Sequence, residues 1–424
     1  MAAIRPLKGL RYSTAAGELT NLIAPPYDVL SAAQRDDYAA RSPYNVVRLT
    51  LPESKPDDRS KYVKYARSAA ALAEWRREAV LVPEPSAAIY RYRQTFTVPY
   101  TKESFTRTSL ISLLRLEPFE SGVVLPHERT FPKHKEDRLR ILEATRAHLE
   151  TIFGLYEDEQ NEIAGALDSA STVGEVSATD DGIRHELAVV VDHDAIQGVQ
   201  ALMQSKRIWI ADGHHRYETA LAFRTALGER SEEVPEDYIP IALTSMSDPG
   251  LVLLPTHRIV PKFAHSSEWV LDRLNDLFNV RSTSVEGLQN EIERSHSNGV
   301  RAFGLVFGGG AAYVVTPKDE GRLIESIASS QSPELKQLDV TVLHSAIFET
   351  LFEIRGVESL VYTRDSDEAI RAAQEGAAMV WMMNPPSVGD MKTIALGGER
   401  MPEKSTYYFP KIQSGLVLWS LNDF

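Results

Sequence analysis

Apolar residues recur along this chain with two spacings. AAIYRYRQTFTVPY, from Ala87, alternates like a half-buried strand, and RTSLISLLRLEPF gives a second strand ending before Glu120. TIFGLYED, HELAVVVDH, the Ile208-Trp209-Ile210 run, YIPIALTSM and LVLLPTHRIV read as further strands. Helical spacing runs from about Asp57 to Glu78, where Tyr62, Tyr65, Ala69, Leu72 and Trp75 share a face. It returns in RLRILEATRAHLE, and again after Tyr217 with Ala220, Leu221 and Phe223. SGVVLPHERTFPKHKED is expected as a loop, DSASTVGEVSATDDG (Asp168 to Gly182) as a polar turn-rich connector, and GERSEEVPED as an acidic surface loop. From about Val260 the pattern restarts, with helices in SEWVLDRLNDLF and EGLQNEIERS and strands around FGGG, whose glycines predict a hairpin turn. Helices and strands mix without regular βαβ alternation, which predicts an α+β chain over a doubly wound sheet. The expected regions are an N-terminal α+β region at 1–105, a core at 106–260 and a C-terminal α/β region at 261–424.

Composition narrows the function classes. With 424 residues, 43% hydrophobic and 25% charged, the chain has ample material for more than one core. A formal net charge of -13 and a pI near 5.4 argue against a general nucleic-acid-binding surface. The absence of cysteine excludes disulfides, thiolate metal sites and cysteine nucleophiles, and fits a reducing compartment. MAAIRPLKGLRYS lacks the apolar stretch of a signal peptide, and no apolar run is long enough to span a bilayer. The expected location is the cytoplasm.

The densest chemistry lies in RIWIADGHHRYETALAF, Arg207 to Phe223. A buried strand breaks at Asp212-Gly213, and a helix begins. Such a junction presents N–H groups that have no intrahelical acceptor, and it favours an anion. The plain reading is a capped helix start with two surface histidines. Phosphate binding is favoured over it because Gly213 frees the backbone, Arg216 can fork onto phosphate oxygens, and His214 and His215 can donate. Neither GxxxxGK[ST] nor GxGxxG is present. Adjacent histidines point apart on a helix, so no zinc site is expected.

LPHERTFPKHKEDR supplies a second cluster. A carboxylate at Glu128, beside His127 and Arg129, suits a general base, and Lys133, Lys135 and Arg138 suit a positive rim; a charged surface loop is an equally good reading. APPYDVL and SPYNVVRL read as rigid turns, with Tyr27 and Asp28 as secondary candidates for a site. Lys404-Ser405-Thr406-Tyr407 and PKIQSG suit a site or a surface equally.

These strings, in order from about Ala24 to Leu418, resemble a bacterial and archaeal family known as domain of unknown function 1015. ADGHHR is moreover similar to the nucleotide-binding signature of the ParB/sulfiredoxin-like superfamily, and within it to the free-serine kinases. The resemblance implies a ParB/sulfiredoxin-like nucleotide-binding core embedded in a larger mixed α/β chain. Asp212, Gly213, His214, His215 and Arg216 match the phosphate motif, and Glu128 matches the catalytic glutamate. This chain is much longer than a lone domain of that kind, so its substrate can differ.

The function expected is a small-molecule kinase that moves a phosphoryl group from ATP or ADP, with Mg²⁺, to the hydroxyl of serine or a similar small metabolite. In that scheme Gly213, His214, His215 and Arg216 hold phosphates, and Asp212 orients His215 or meets the metal. Glu128 takes the hydroxyl proton, with His127 and Arg129 at the substrate. No nucleic acid or membrane partner is expected. The alternatives are a nucleotide-binding switch and a metal-dependent phosphohydrolase.

Overall fold

The computed structural model describes residues 2–99, 101–130, 132–228, 230–327, 330–356 and 359–424. The chain forms two compact units. The first takes the chain up to Pro126, Thr130–Val252 and Pro410–Phe424; the second takes His127–Arg129 and Leu253–Phe409.

The first unit is built on a mixed sheet. Its strands are β1 (Ile89–Thr97), β2 (Ser104–Arg115), β3 (Val124–Leu125), β4 (Ile152–Tyr156), β5 (Thr172–Asp180), β6 (Ile183–Val190), β7 (Ile208–Asp212) and β8 (Tyr238–Ser245). They lie in the order β3-β7-β4-β8-β2-β1-β6-β5, with Ile4–Arg5 beside β2. Two pairs, β3 with β7 and β4 with β8, are parallel; the others are antiparallel. The central strands are apolar on both faces because both are covered: Ile208, Ile210, Ile152, Ile241 and Leu243 lie on one face in a core with Val199, Met203 and Tyr217, and the alternate residues Trp209, Phe153, Leu155 and Ala242 are buried on the other. A second core gathers Val46, Leu49, Leu72 and Trp75 of the N-terminal helices with Leu418.

The local patterns account for most of these elements, and two expectations are corrected. The polar stretch after Asp168 is not a connector but strand β5, which forms an antiparallel hairpin with β6. Its turn is Asp181-Gly182, with φ of 49° and 73°, the left-handed pair that a tight hairpin requires. An edge strand exposed on alternate residues tolerates Ser, Thr and Glu, and this hid it. The charged helix begins earlier than its apolar spacing suggests, at Pro132, and ends at Thr145. Proline suits the first helical position because its missing N–H has no acceptor there. Ala147–His148 then pair with Trp419–Ser420 as short strands.

The second unit carries an antiparallel sheet of β9 (His257–Val260), β10 (Phe278–Thr283), β11 (Phe303–Phe307), β12 (Ala312–Pro317), β13 (Val361–Thr363) and β14 (Met379–Met382), in the order β10-β12-β11-β14-β9-β13. Gly309 and Gly310, at φ 102° and 89°, turn the β11–β12 hairpin as the FGGG string predicts. Leu288 and Ile292 of helix Val285–Ser297, and Ala369 and Ala373 of helix Ser366–Gln374, bury against Val306, Val314, Val380 and Met382.

Candidate functional site

Strand β7 ends at Asp212, and helix α1 (His214–Ala226) starts two residues later. Gly213 makes the turn at φ 92° and ψ 25°. Only glycine fits: a Cβ here would sit 2.7 Å from Ile152 Cγ2 and 3.0 Å from the Arg216 guanidinium. The turn thus packs directly against Ile152, the first residue of β4.

The Arg216 side chain folds back beneath this turn. It donates to Asp212 Oδ2 at 3.0 Å and to the Thr151 carbonyl at 3.1 Å, and only 10% of it is exposed. Burial works against its charge, but Glu150, Asp212 and Asp28 outweigh burial and hold it more firmly protonated than a free arginine. The other oxygen of Asp212 accepts from Lys411 Nζ at 2.6 Å. Asp212 thus lies between two cations, and Arg216 acts as a buried strut of the turn. His214 is buried and His215 half-buried. Desolvation, with His134 adding to it, pushes the His215 pKa down to about 4, against the pull of Asp28 and Glu218. The His134 and His215 rings meet edge to face at 5.2 Å.

Residues distant in sequence complete this region of the first unit. Glu150, 6% exposed, accepts from the Tyr27 N–H at 3.0 Å and from Ser414 Oγ at 3.2 Å, and lies 3.6 Å from Arg138. Arg138 lies 3.8 Å over the Tyr27 ring and donates to the Thr50 carbonyl at 2.8 Å. Arg138 is therefore not part of a surface rim. Its own helix, from Pro132 to Thr145, turns it inward, while Lys135 pairs with Glu218 at 3.0 Å. A cavity of about 40 Å³ lies between Arg138, Glu150, His148 and Arg216, and the Nε of both arginines is buried without a hydrogen-bond partner. The APPYDV turn is held by Ala24 bridging Ser414, and by the buried Asn45, which donates to the Asn21 and Ile23 carbonyls. So APPYDV, SPYNVV, ADGHHR and KIQSG, read separately in sequence, meet in one unit. Glu150 had no sequence signal, and PKIQSG flagged Lys411 without showing its partner, since single charged residues reveal nothing of such long-range contacts.

His127, Glu128 and Arg129 belong to the second unit. There Glu128 bridges Met401 in parallel register, and the His127 carbonyl accepts from the Met401 N–H at 2.8 Å. The His127 ring, 1% exposed, meets Thr406 Oγ1 at 2.9 Å, so the first residue of His-Glu-Arg is an anchor within this unit. Glu128 is half-buried and Arg129 exposed. Among the described residues no group of three or more His, Asp or Glu is placed to hold a metal, and no helix is long and apolar enough to cross a membrane.

The chain belongs to the family described as "Protein of unknown function (DUF1015)", whose model matches residues 4–341. No curated protein matches it. Among solved structures it is similar to free serine kinase in complex with AMP, at 14% identity and TM-score 0.36 over 70% of this chain and 86% of that one. It is similar to a conserved hypothetical protein from Pyrococcus furiosus, at 14% identity and TM-score 0.36 over 74% and 97%. SbnI from Staphylococcus aureus, truncated at its C-terminus, matches at 12% identity and TM-score 0.34 over 72% and 86%. Likenesses this faint carry no argument about activity.

Proposed function

We propose that this DUF1015 protein binds a nucleotide through the Gly213 turn and transfers its terminal phosphoryl group to the hydroxyl of a small metabolite such as serine. One observation carries the reading: a left-handed glycine opens a helix of 13 residues where His215, His134 and Lys135 gather. A helix start with cationic or hydrogen-bond-donating groups around it favours phosphate for two additive reasons, first-turn N–H groups that no intrahelical carbonyl claims and the helix dipole. The similarity of ADGHHR to the ParB/sulfiredoxin-like signature supports a core of that type and a donor of ATP or ADP.

The roles follow from the chain's own groups. The first-turn amides of α1 and His215 would contact the donor phosphates. Asp212 and Arg216, tied to each other and to Lys411, would hold the turn in shape. Glu128 is proposed as the base that takes the hydroxyl proton, on its motif match alone. Mg²⁺ finds a poor fit at Asp212, whose two oxygens already face Arg216 and Lys411, so no step is assigned to a metal there.

Titration calorimetry with ATP, ADP and AMP tests the binding. His215→Ala should weaken ATP about tenfold or more. Arg224→Ala should change little, since Arg224 lies farther along α1 and pairs with Asp237 at 2.7 Å. A metabolite panel with ATP or ADP, read by mass spectrometry, tests the transfer. Glu128→Gln should bind nucleotide normally and lose about 10²–10⁴ in rate. Nucleotide binding without any phosphorylated product would replace the kinase with a nucleotide-dependent switch.

A further inference from the structure

We propose that the pocket around Arg258, within the second unit, is a binding site for a small monocarboxylate. Arg258 stands on β9 with 1% of its surface exposed. All the groups it bonds are neutral: the Thr256 carbonyl, the Lys404 carbonyl at 3.2 Å, Met383 Sδ at 3.2 Å and His344 Nε2 at 3.3 Å. A buried charge normally has a counter-charge beside it, and among the described residues no carboxylate lies within ion-pair distance of this one. Burial lowers its pKa to about 10, so the guanidinium keeps its charge at neutral pH.

Two further features converge on the same place. Arg258 lines a cavity of about 200 Å³, and so does Thr256, whose Oγ1 is buried with no hydrogen-bond partner. An orphan hydroxyl beside a guanidinium that has acceptors but no counter-charge is a pair that lacks an anion. The surrounding backbone is built around the arginine. Lys404 adopts a left-handed φ of 55° next to the carbonyl it offers, and a π-helix, Val342–Leu351, supplies His344. Burial and the nearby Arg258 push the His344 pKa down to about 3, so the ring is neutral and accepts from Nε. Departures from regular helix of this kind often mark functional sites.

The lining selects the ligand class. Asp339 also borders the cavity but is matched by Arg301 at 2.6 Å, and Asp390 is occupied as a helix cap by the Ser387 N–H at 2.8 Å. Among the described lining residues that leaves Arg258 as the unmatched cation, which neutralises one negative charge; a dianionic phosphate would bring a second charge against two nearby carboxylates. Four Arg258 N–H groups hold the arginine in place, so the remaining Nη2 hydrogen can donate to one carboxylate oxygen and the Thr256 hydroxyl to the other, while the Ser405 hydroxyl, which donates to the Pro402 carbonyl, can only accept. At about 30 Å³ per water-sized group, the cavity admits a molecule of about six non-hydrogen atoms. This inference does not depend on nucleotide binding at the Gly213 turn.

The test uses the full chain with sodium L-lactate and sodium acetate as probes, against sodium chloride and inorganic phosphate at equal ionic strength. Lactate should raise the unfolding temperature saturably and give saturation-transfer NMR signals, with chloride inert. Arg258→Gln should weaken lactate at least about tenfold. Thr256→Val, which removes only the orphan hydroxyl, should weaken it several-fold while leaving the ligand-free protein folded, and it decides the matter if Arg258→Gln does not fold. The proposal is overturned if lactate and acetate behave as chloride does, if phosphate alone binds, or if a folded Arg258→Gln or Thr256→Val variant keeps full lactate affinity.

Discussion

Arg216, in the first turn of α1, and Arg258, on β9, are both buried arginines, one in each unit, and their surroundings differ in sign. Arg216 sits among Glu150, Asp212 and Asp28, which hold its proton more firmly than usual. Arg258 has carbonyls, a thioether and a neutral imidazole around it, and its pKa falls. Local charge balance therefore separates two roles that burial alone does not. An arginine matched by acids within its own unit is structural, and one left unmatched is poised for an anion from outside.

Removing each charge gives the largest contrast. Arg216→Met would leave Asp212 and Glu150 facing a neutral side chain and should cost about 3–5 kcal/mol in urea unfolding, as breaking a buried pair does. Arg258→Met removes a charge with no partner, and its lost hydrogen bonds are offset by relief of desolvation. A change below about 2 kcal/mol is expected. Equal losses in the two variants would dissolve the distinction.

The next effect is on acid stability. His215 has a folded pKa of about 4, below the ordinary 6.5 of an unfolded chain. Between those values the unfolded state binds the extra proton, so this contribution is complete above about pH 6.5 and lost as pH falls toward 4. His215→Gln should flatten stability against pH by the equivalent of about one proton in that window. In the second unit His257 and His344, at about 4 and 3, should leave their own acid loss unchanged in this variant. Nucleotide binding near pH 5.5 should draw a proton onto wild-type His215, because a phosphate favours the charged ring. Calorimetry in buffers of different ionisation enthalpy reads this directly, and no buffer dependence would argue against phosphate beside His215.

The same contrast explains what could be read in the sequence. The β7–Gly213–α1 turn was legible because its signals are local: Ile208-Trp209-Ile210, then glycine, then helical spacing. Strand β5 was missed because its exposed edge tolerates the residues of a turn. The start of the charged helix was missed because apolar spacing begins only after Pro132-Lys-His-Lys. The partners of each arginine were not legible at all. Glu150 lies 66 residues before Arg216, and nothing near Arg258 in PTHR shows that no acid will reach it. Periodicity reports which face is buried; charge balance in the core depends on contacts that only the fold creates.

The smallest expected effect sharpens the comparison most finely, because it concerns single hydroxyls. Ser414 Oγ donates to the buried Glu150 at 3.2 Å in the first unit, whereas Thr256 Oγ1 donates to nothing in the second. Hydrogen bonds to charged groups typically contribute about 1.5–3 kcal/mol, while a buried polar group without a partner carries a desolvation cost. Ser414→Ala should therefore destabilise by about 1–2 kcal/mol, the long 3.2 Å contact placing it toward the low end. Thr256→Val replaces the hydroxyl by a methyl group of nearly the same shape and should be neutral or stabilising by up to about 1 kcal/mol in ligand-free protein. Urea midpoints at fixed slope measure both. If Thr256→Val instead costs as much as Ser414→Ala, its hydroxyl has a partner in the ligand-free protein, and the unmatched pair at Arg258 does not exist.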